Sequence, residues 1–132
     1  MLKTIYLTCE EIIEYNILVL NILKAKKGDK ADVLSYQKLK CIIEKCKMLD
    51  GDIYDKAVLL LKLLIQGHPF ASGNRRTAFI VTKEFLIKNK TEFRVKDEPK
   101  YAKVMVGIRE NFYSDLEIKE WLKNGEIREF KR

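Results

Sequence analysis

The residues best suited to chemistry lie in one short segment, from His68 to Thr77. It holds the only histidine of the chain, then Pro69 and Phe70, then a glycine, an asparagine and two arginines. Strongly apolar stretches precede and follow it, which predicts that it joins two buried helices. Polar groups in such a place are costly unless something binds to them. We therefore take this segment as the candidate functional site.

The polar groups of this segment are typical of an anion site beside a titratable base. Gly73 can bend the backbone so that successive N–H groups face one concavity. A helix predicted to open at Asn74 adds its unpaired N–H groups, and Arg76 adds a forked cation that matches phosphate. Pro69 disfavours helical geometry before it, so His68 is expected on an extended backbone, where its imidazole could accept a hydroxyl proton.

The elements that position this segment are predicted to be helices. The hydrophobic pattern predicts an all-α fold, a bundle of about six helices around a central buried pair, in a single domain over residues 1–132. Gly67 is expected to end the first helix of the pair in a positive-φ conformation. The first predicted helix begins at a capping box at Thr8 and ends at about Leu23, and the last begins at a capping box at Ser114 and ends at Gly125. Between them we predict helices over Val33–Met48, 52–66 and 74–90, and a further helix that begins at Asp97.

The motif His68-Pro69-Phe70-x-x-Gly73-Asn74-x-Arg76 resembles the signature loop of the Fic/Doc superfamily, H-P-F-x-[DE]-G-N-[GK]-R. The basic Arg75 resembles the death-on-curing (Doc) branch of that superfamily. The resemblance implies a Fic/Doc-like helical bundle and a toxin that transfers a phosphoryl or AMP group from ATP to a hydroxyl of a target protein. Such a protein would act as a kinase or nucleotidyltransferase, and the charge and bulk of Arg75 favour phosphoryl transfer over AMP transfer (AMPylation).

The resemblance also implies roles for individual residues. His68 corresponds to the catalytic general base, and the phosphate and nucleotide ligands correspond to Gly73, Asn74, Arg75 and Arg76. Ser72 stands where the family has an acidic ligand of Mg²⁺. A neutral hydroxyl brings no charge to the metal, so Mg²⁺ is expected to be held weakly, by Ser72 directly or through a water. Ser72 could equally be a helix cap, and so could Asn74.

Two other functions stay open at this stage. One is a module that binds nucleotide or phosphate but has lost turnover together with the acidic metal ligand. The other is a nucleic-acid-binding domain, suggested only by the net charge of +7. The lysines are spread along the chain, and only Tyr36 lies near their clusters, so the pattern does not favour nucleic acid. One group of them lies near a predicted loop, at Lys24, Lys26, Lys27 and Lys30.

The remaining expectations concern partners and location. The chain lacks the family's inhibitory [ST]-x-x-x-E-[GN] segment, so a separate antitoxin is expected, in addition to the protein target. No apolar run approaches the ~20 residues that a membrane span needs. The three cysteines form no C-x-x-C pair and indicate reduced thiols. Together with a start that lacks a signal-peptide core, these features predict a cytoplasmic protein.

Overall fold

A computed structural model describes residues 3–22 and 33–131 of the chain. The described residues form six α-helices and no strand, apart from one isolated antiparallel bridge between Val33 and Phe70. The helices are α1 Cys9–Ile22, α2 Tyr36–Met48, α3 Ile53–Gly67, α4 Asn74–Lys88, α5 Tyr101–Arg109 and α6 Asp115–Asn124. The predicted all-α bundle of about six helices is confirmed.

The centre of the bundle is the antiparallel pair α3 and α4, as predicted. Helix α3 also packs against α2, α5 and α6, and α1 packs on α4. Both central helices bury most of their length, because apolar residues occur on nearly every face of each. Phe70 is buried in the core at the junction between them. The candidate site is therefore attached to the best-packed part of the molecule.

Several helix boundaries differ from the predicted ones. Helix α2 begins at Tyr36 rather than Val33, because Ser35 caps it by accepting from the N–H of Lys38. Helix α5 begins at Tyr101 rather than Asp97, and α4 ends at Lys88. The capping boxes at Thr8 and Ser114 are both present. Leu23 and the lysine group at residues 24–30 lie outside the described residues.

The end of α3 also departs from the prediction. Gly67 is the last helical residue, and His68 takes the left-handed conformation, with φ 51° and ψ 57°. The expected extended backbone at His68 is therefore wrong. The chain must reverse direction within a few residues to enter α4, and a left-handed residue at the helix end makes that turn. A histidine in this region costs about 1–3 kcal/mol, and Lys90 and Asn111 take a positive φ in the same way just after α4 and α5.

An unexpected buried cation joins α2 to α3. Lys56 is 8% exposed, and its Nζ donates to the carbonyls of Cys46 and Leu49 at 2.8 and 2.7 Å. These carbonyls lie at the end of α2, where backbone oxygens lack helical partners and the helix dipole is negative. Lys56 therefore acts as a C-terminal cap supplied by a neighbouring helix.

Among the described residues, no helix has the length and apolarity to cross a bilayer.

Replacing Lys56 by methionine should destabilise the fold, because the side chain keeps its length but leaves these carbonyls unpaired. We expect the free energy of unfolding to fall by about 2 kcal/mol, measured by urea denaturation. Lys62→Met is the matched control, since Lys62 pairs with the exposed Asp115 at 2.7 Å and should change stability by at most about 1 kcal/mol. Equal losses in the two variants would contradict the capping role.

Candidate functional site

The loop between α3 and α4 is held together by the Asn74 side chain. Asn74 is 7% exposed. Its Oδ1 accepts from the N–H of Phe70 at 2.9 Å, and its Nδ2 donates to the carbonyl of Phe70 at 2.8 Å. These two bonds to one residue fix which end of the amide is oxygen. The cap role considered for Asn74 is not observed, because its side chain closes the loop instead.

The same amide also contacts the histidine. Asn74 Nδ2 lies 3.1 Å from Nδ1 of His68 and 3.4 Å from Nε2. An amide N–H can only donate, so the ring nitrogen that receives it must carry a free lone pair. A neutral imidazole has one such nitrogen. Because Nδ2 lies at similar distances from both nitrogens, the contact helps to hold the imidazole in place without assigning its tautomer, and the ring itself is exposed.

A second support comes from the chain just before α2. The N–H of Leu34 donates to the carbonyl of Pro69 at 2.8 Å, next to the bridge between Val33 and Phe70. Lys38 Nζ donates to the carbonyl of Gly67 at 2.7 Å. Both contacts fix backbone on either side of His68. They explain how a strained left-handed residue is held there.

A third support is Asn16 of α1, which the sequence analysis missed. Asn16 is 1% exposed, and its Nδ2 donates to the carbonyl of Ser72 at 2.9 Å and to Oγ1 of Thr77 at 3.0 Å. One signal could have revealed it. Ile12 and Val19 lie on the buried stripe of α1, and position 16 continues that stripe at helical spacing, where an asparagine is out of place.

The anion cradle predicted at the start of α4 stays a prediction, and the backbone there is compatible with it. Gly73 has φ 76° and precedes α4 as its N-cap, and no side chain caps this helix end. The alternative in which Ser72 caps the helix is therefore wrong. The first N–H groups of α4 have no partner within the helix, so an anion can be their acceptor. Arg75 is exposed on the first turn of α4, and Ser72 is half-buried.

These groups line one wall of a cavity of about 950 Å³. The opposite walls come from residues 97–99 and from α5, where Tyr101 and Met105 contribute apolar surface beside Phe79 of α4. The charged residues that line the cavity are Arg75, Arg76, Lys103 and Arg109 against Asp97 and Glu98. The predicted site residues His68, Ser72, Gly73, Asn74, Arg75 and Arg76 all line it. A basic, partly apolar cavity of this size suits a nucleotide-sized anion.

The guanidinium of Arg76 already has an anionic partner. Its Nη1 and Nη2 donate to the two oxygens of Asp97, both at 2.6 Å. The hydrogen bond from Arg76 lowers the pKa of Asp97, and the reciprocal bond raises the pKa of Arg76. Since the pKa of Asp97 falls on folding, the pair stabilises the fold above the ordinary aspartate pKa. That contribution is lost as the pH drops through the lowered value.

The side chains of this wall do not fit a Mg²⁺ site held by the protein. Mg²⁺ in nucleotide sites is usually bound by one or two carboxylates together with phosphate oxygens. Ser72 is neutral, the carboxylate of Asp97 is engaged by Arg76, and Glu98 pairs with Lys100 at 3.3 Å. Within residues 3–22 and 33–131, no three histidine, cysteine or acidic side chains group as metal ligands would.

Asp97→Asn should strengthen the binding of pyrophosphate, because it releases Arg76 and removes a negative charge from the cavity. The pair is partly exposed, with 37% of the Arg76 side chain accessible, so we expect a gain of about three- to fivefold at low salt, measured by calorimetry.

Two variants control for this prediction. Glu98→Gln removes a charge from the same wall without releasing Arg76 and should give a smaller gain. In an Arg76→Ala background, Asp97→Asn should give little gain, as a double-mutant cycle would show. An equal gain from Asp97→Asn with and without Arg76 would mean that Asp97 acts only through its charge.

Comparison with known proteins assigns the chain to a family. The model of the Fic/DOC family matches residues 6–86, a span that covers more than half of the chain and contains α1 to α3, the loop and most of α4. No curated protein is a significant match to this chain. The family match includes the whole segment from His68 to Arg76, whose geometry is described above. The chain therefore belongs to the Fic/DOC family.

Proposed function

We propose that this protein transfers a phosphoryl or AMP group from ATP to a hydroxyl of a target protein, as a death-on-curing-like toxin. Domains of the Fic/DOC family are commonly transferases. The single observation that supports the proposal best is the shared cavity wall. It joins His68, the only histidine, to the uncapped start of α4 and to Arg76.

The phosphates of ATP would bind at the start of α4. The N–H groups after Gly73 supply backbone donors, and the helix dipole favours negative charge there. Both hydrogens of the Asn74 amide are used within the loop, so Asn74 contributes its backbone N–H and keeps the loop in shape. Arg76 would exchange its bond to Asp97 for one to phosphate, and Arg75 adds positive charge at the rim.

The transfer itself would need a hydroxyl beside His68. The hydroxyl oxygen attacks the γ-phosphorus, the bond from that phosphorus to the β–γ bridging oxygen breaks, and ADP leaves with the electron pair. The hydroxyl proton moves to His68, which can contribute about 10²–10⁴ in rate. The Asn74 amide, which contacts the ring, would help to hold the imidazole in place for this transfer. Attack at the α-phosphorus would instead transfer AMP and release pyrophosphate.

Mg²⁺ is not assigned a step in this scheme. The neutral Ser72 leaves any metal dependent on the phosphate oxygens that ATP brings with it. ATP and its Mg²⁺ complex are the proposed co-substrate, the target is a protein with an accessible hydroxyl, and a separate antitoxin is the proposed regulator. This scheme assumes that the protein acts in the cytoplasm.

The alternative is a binding module that holds nucleotide without turning it over. Two observations favour it: Ser72 supplies no charge for a metal, and Arg76 is engaged by Asp97. The two functions share the cradle and differ in the chemistry at His68. Transfer assays therefore separate them, whereas binding assays do not.

His68→Ala should abolish transfer of label from ATP to protein, because no other histidine can take the proton. ATP affinity should stay within about twofold, since His68 is exposed and the cradle remains. The measurement pairs a radiolabel transfer assay with calorimetry on the same preparation. Arg109→Ala removes a charge from the opposite cavity wall and serves as the control for a general charge effect. Unchanged transfer in a folded His68→Ala protein would exclude the general-base role.

Ser72→Asp should make ATP binding more dependent on Mg²⁺, because a carboxylate is the ligand that Mg²⁺ prefers. We expect the Mg²⁺ concentration that gives half-maximal ATP affinity to fall, and Ser72→Ala to leave it unchanged. The measurement is ATP affinity across a Mg²⁺ series, with transfer followed in parallel. If Ser72→Asp creates transfer where the natural chain has none at saturating Mg²⁺, the binding-module alternative is correct.

A further inference from the structure

The contact between α1 and the loop has a feature that stability alone does not explain. Asn16 is buried, and its Oδ1 has no hydrogen-bond partner among the described residues. A buried polar atom without a partner destabilises the fold. An apolar residue would fill the position at lower cost to the core. The role of Asn16 therefore lies in the other end of its amide, the Nδ2 donor.

That donor determines the orientation of the peptide unit between Ser72 and Gly73. Nδ2 holds the carbonyl of Ser72 toward α1 at 2.9 Å. In a planar trans peptide the C=O and the following N–H point in opposite directions. The N–H of Gly73 is therefore directed away from α1. The cavity lies on that side, since it is lined by Gly73 and by no described residue of α1.

The second bond of Asn16 reaches the first turn of α4. Nδ2 also donates to Oγ1 of Thr77, at 3.0 Å, and the N–H of Thr77 donates to the carbonyl of Gly73 at 2.9 Å. One side chain thus links Ser72, which precedes the N-cap Gly73, to Thr77, which closes the first turn of α4. The relative position of the loop and the helix N–H groups is fixed by this link.

The packing of α1 against Gly73 is close. A Cβ on Gly73 would lie 3.2 Å from Cδ2 of Leu20 and 3.3 Å from Nδ2 of Asn16. Helix α1 therefore approaches the backbone of the loop closely, which only a glycine permits at this φ of 76°. The close approach is what lets Asn16 reach the Ser72 carbonyl.

We propose that Asn16 is a positioning residue for the phosphate cradle: by holding the Ser72 carbonyl, it aims the N–H of Gly73 at the bound phosphate. The proposal rests on the proposed function in that the cradle binds the phosphates of a nucleotide. Asn16 itself does not touch the ligand. Its effect on phosphate binding passes through the Ser72–Gly73 peptide.

The test uses Asn16→Leu in the full chain, with inorganic pyrophosphate as the probe. Leucine has the same branching and number of side-chain heavy atoms as asparagine and no polar atom, so it removes the donor while keeping the position filled. We expect the affinity for pyrophosphate to fall by about tenfold, the scale of one charge-assisted hydrogen bond. The amide proton of Gly73 should shift on pyrophosphate addition in the natural chain and much less in the variant, as followed by NMR.

Val19→Ala is the control for lost stability, since Val19 is buried one turn further along the same helix. It should lower the unfolding free energy while leaving pyrophosphate affinity and the Gly73 shift unchanged. If Asn16→Leu does not fold, Asn16→Ala replaces it and is compared with Val19→Ala in the same way.

The outcomes separate this inference from the proposed function. If the natural chain binds pyrophosphate and a folded Asn16 variant binds it equally well, Asn16 is not a positioning residue and the proposed function stands. If the affinity falls only as much as it does in Val19→Ala, the effect is one of stability and the inference is again wrong. If the natural chain does not bind pyrophosphate, the cradle fails, and the proposed function and this inference fail together.

Discussion

The arrangement of the site depends on the Asn74 amide. With its two ends it pairs with the backbone of Phe70, and with its remaining hydrogen it contacts the ring of His68. Phe70 is fixed in the core, so the amide transfers the rigidity of the core to an exposed histidine. A loop that must place a strained, left-handed residue at the end of a helix needs such a tie, because the backbone alone would relax.

Charge at the site is balanced rather than merely positive. The uncapped start of α4 and the arginines favour an anion, whereas Asp97 engages one of those arginines in a fork of two hydrogen bonds. A carboxylate and a phosphate compete for the same donor geometry. Any anion that engages the guanidinium of Arg76 must therefore displace Asp97.

The sequence predicted the parts of this site that depend on local chemistry. The bend at Gly73 and the start of α4 at Asn74 follow from residue type and neighbours. The left-handed conformation at His68 was missed because Gly67 is the residue that usually takes it, and tertiary contacts on both sides of the turn decided otherwise. Asp97 and Asn16 were missed because their partners lie 21 and 56 residues away.

The helices show the same division between local and distant causes. The capping boxes fixed the starts of α1 and α6, since their partners are three residues apart. The sequence placed the start of α2 at Val33, but Val33 forms a bridge with Phe70 and is therefore not helical. From the sequence alone, Lys56 would be expected to be a surface charge. It caps the end of α2 only because α3 packs on α2.

The central claim, that this cavity supports transfer from ATP to a protein hydroxyl, is tested most directly by a dual-label assay in a cell extract. The natural chain is incubated with ATP labelled at either the α- or the γ-phosphate, and labelled proteins are separated and counted. The account predicts that a protein band acquires label, with γ-label indicating phosphoryl transfer and α-label indicating AMP transfer. If ATP binds by calorimetry and neither label reaches protein at saturating Mg²⁺, the claim of catalysis is contradicted, and the chain is a nucleotide-binding module.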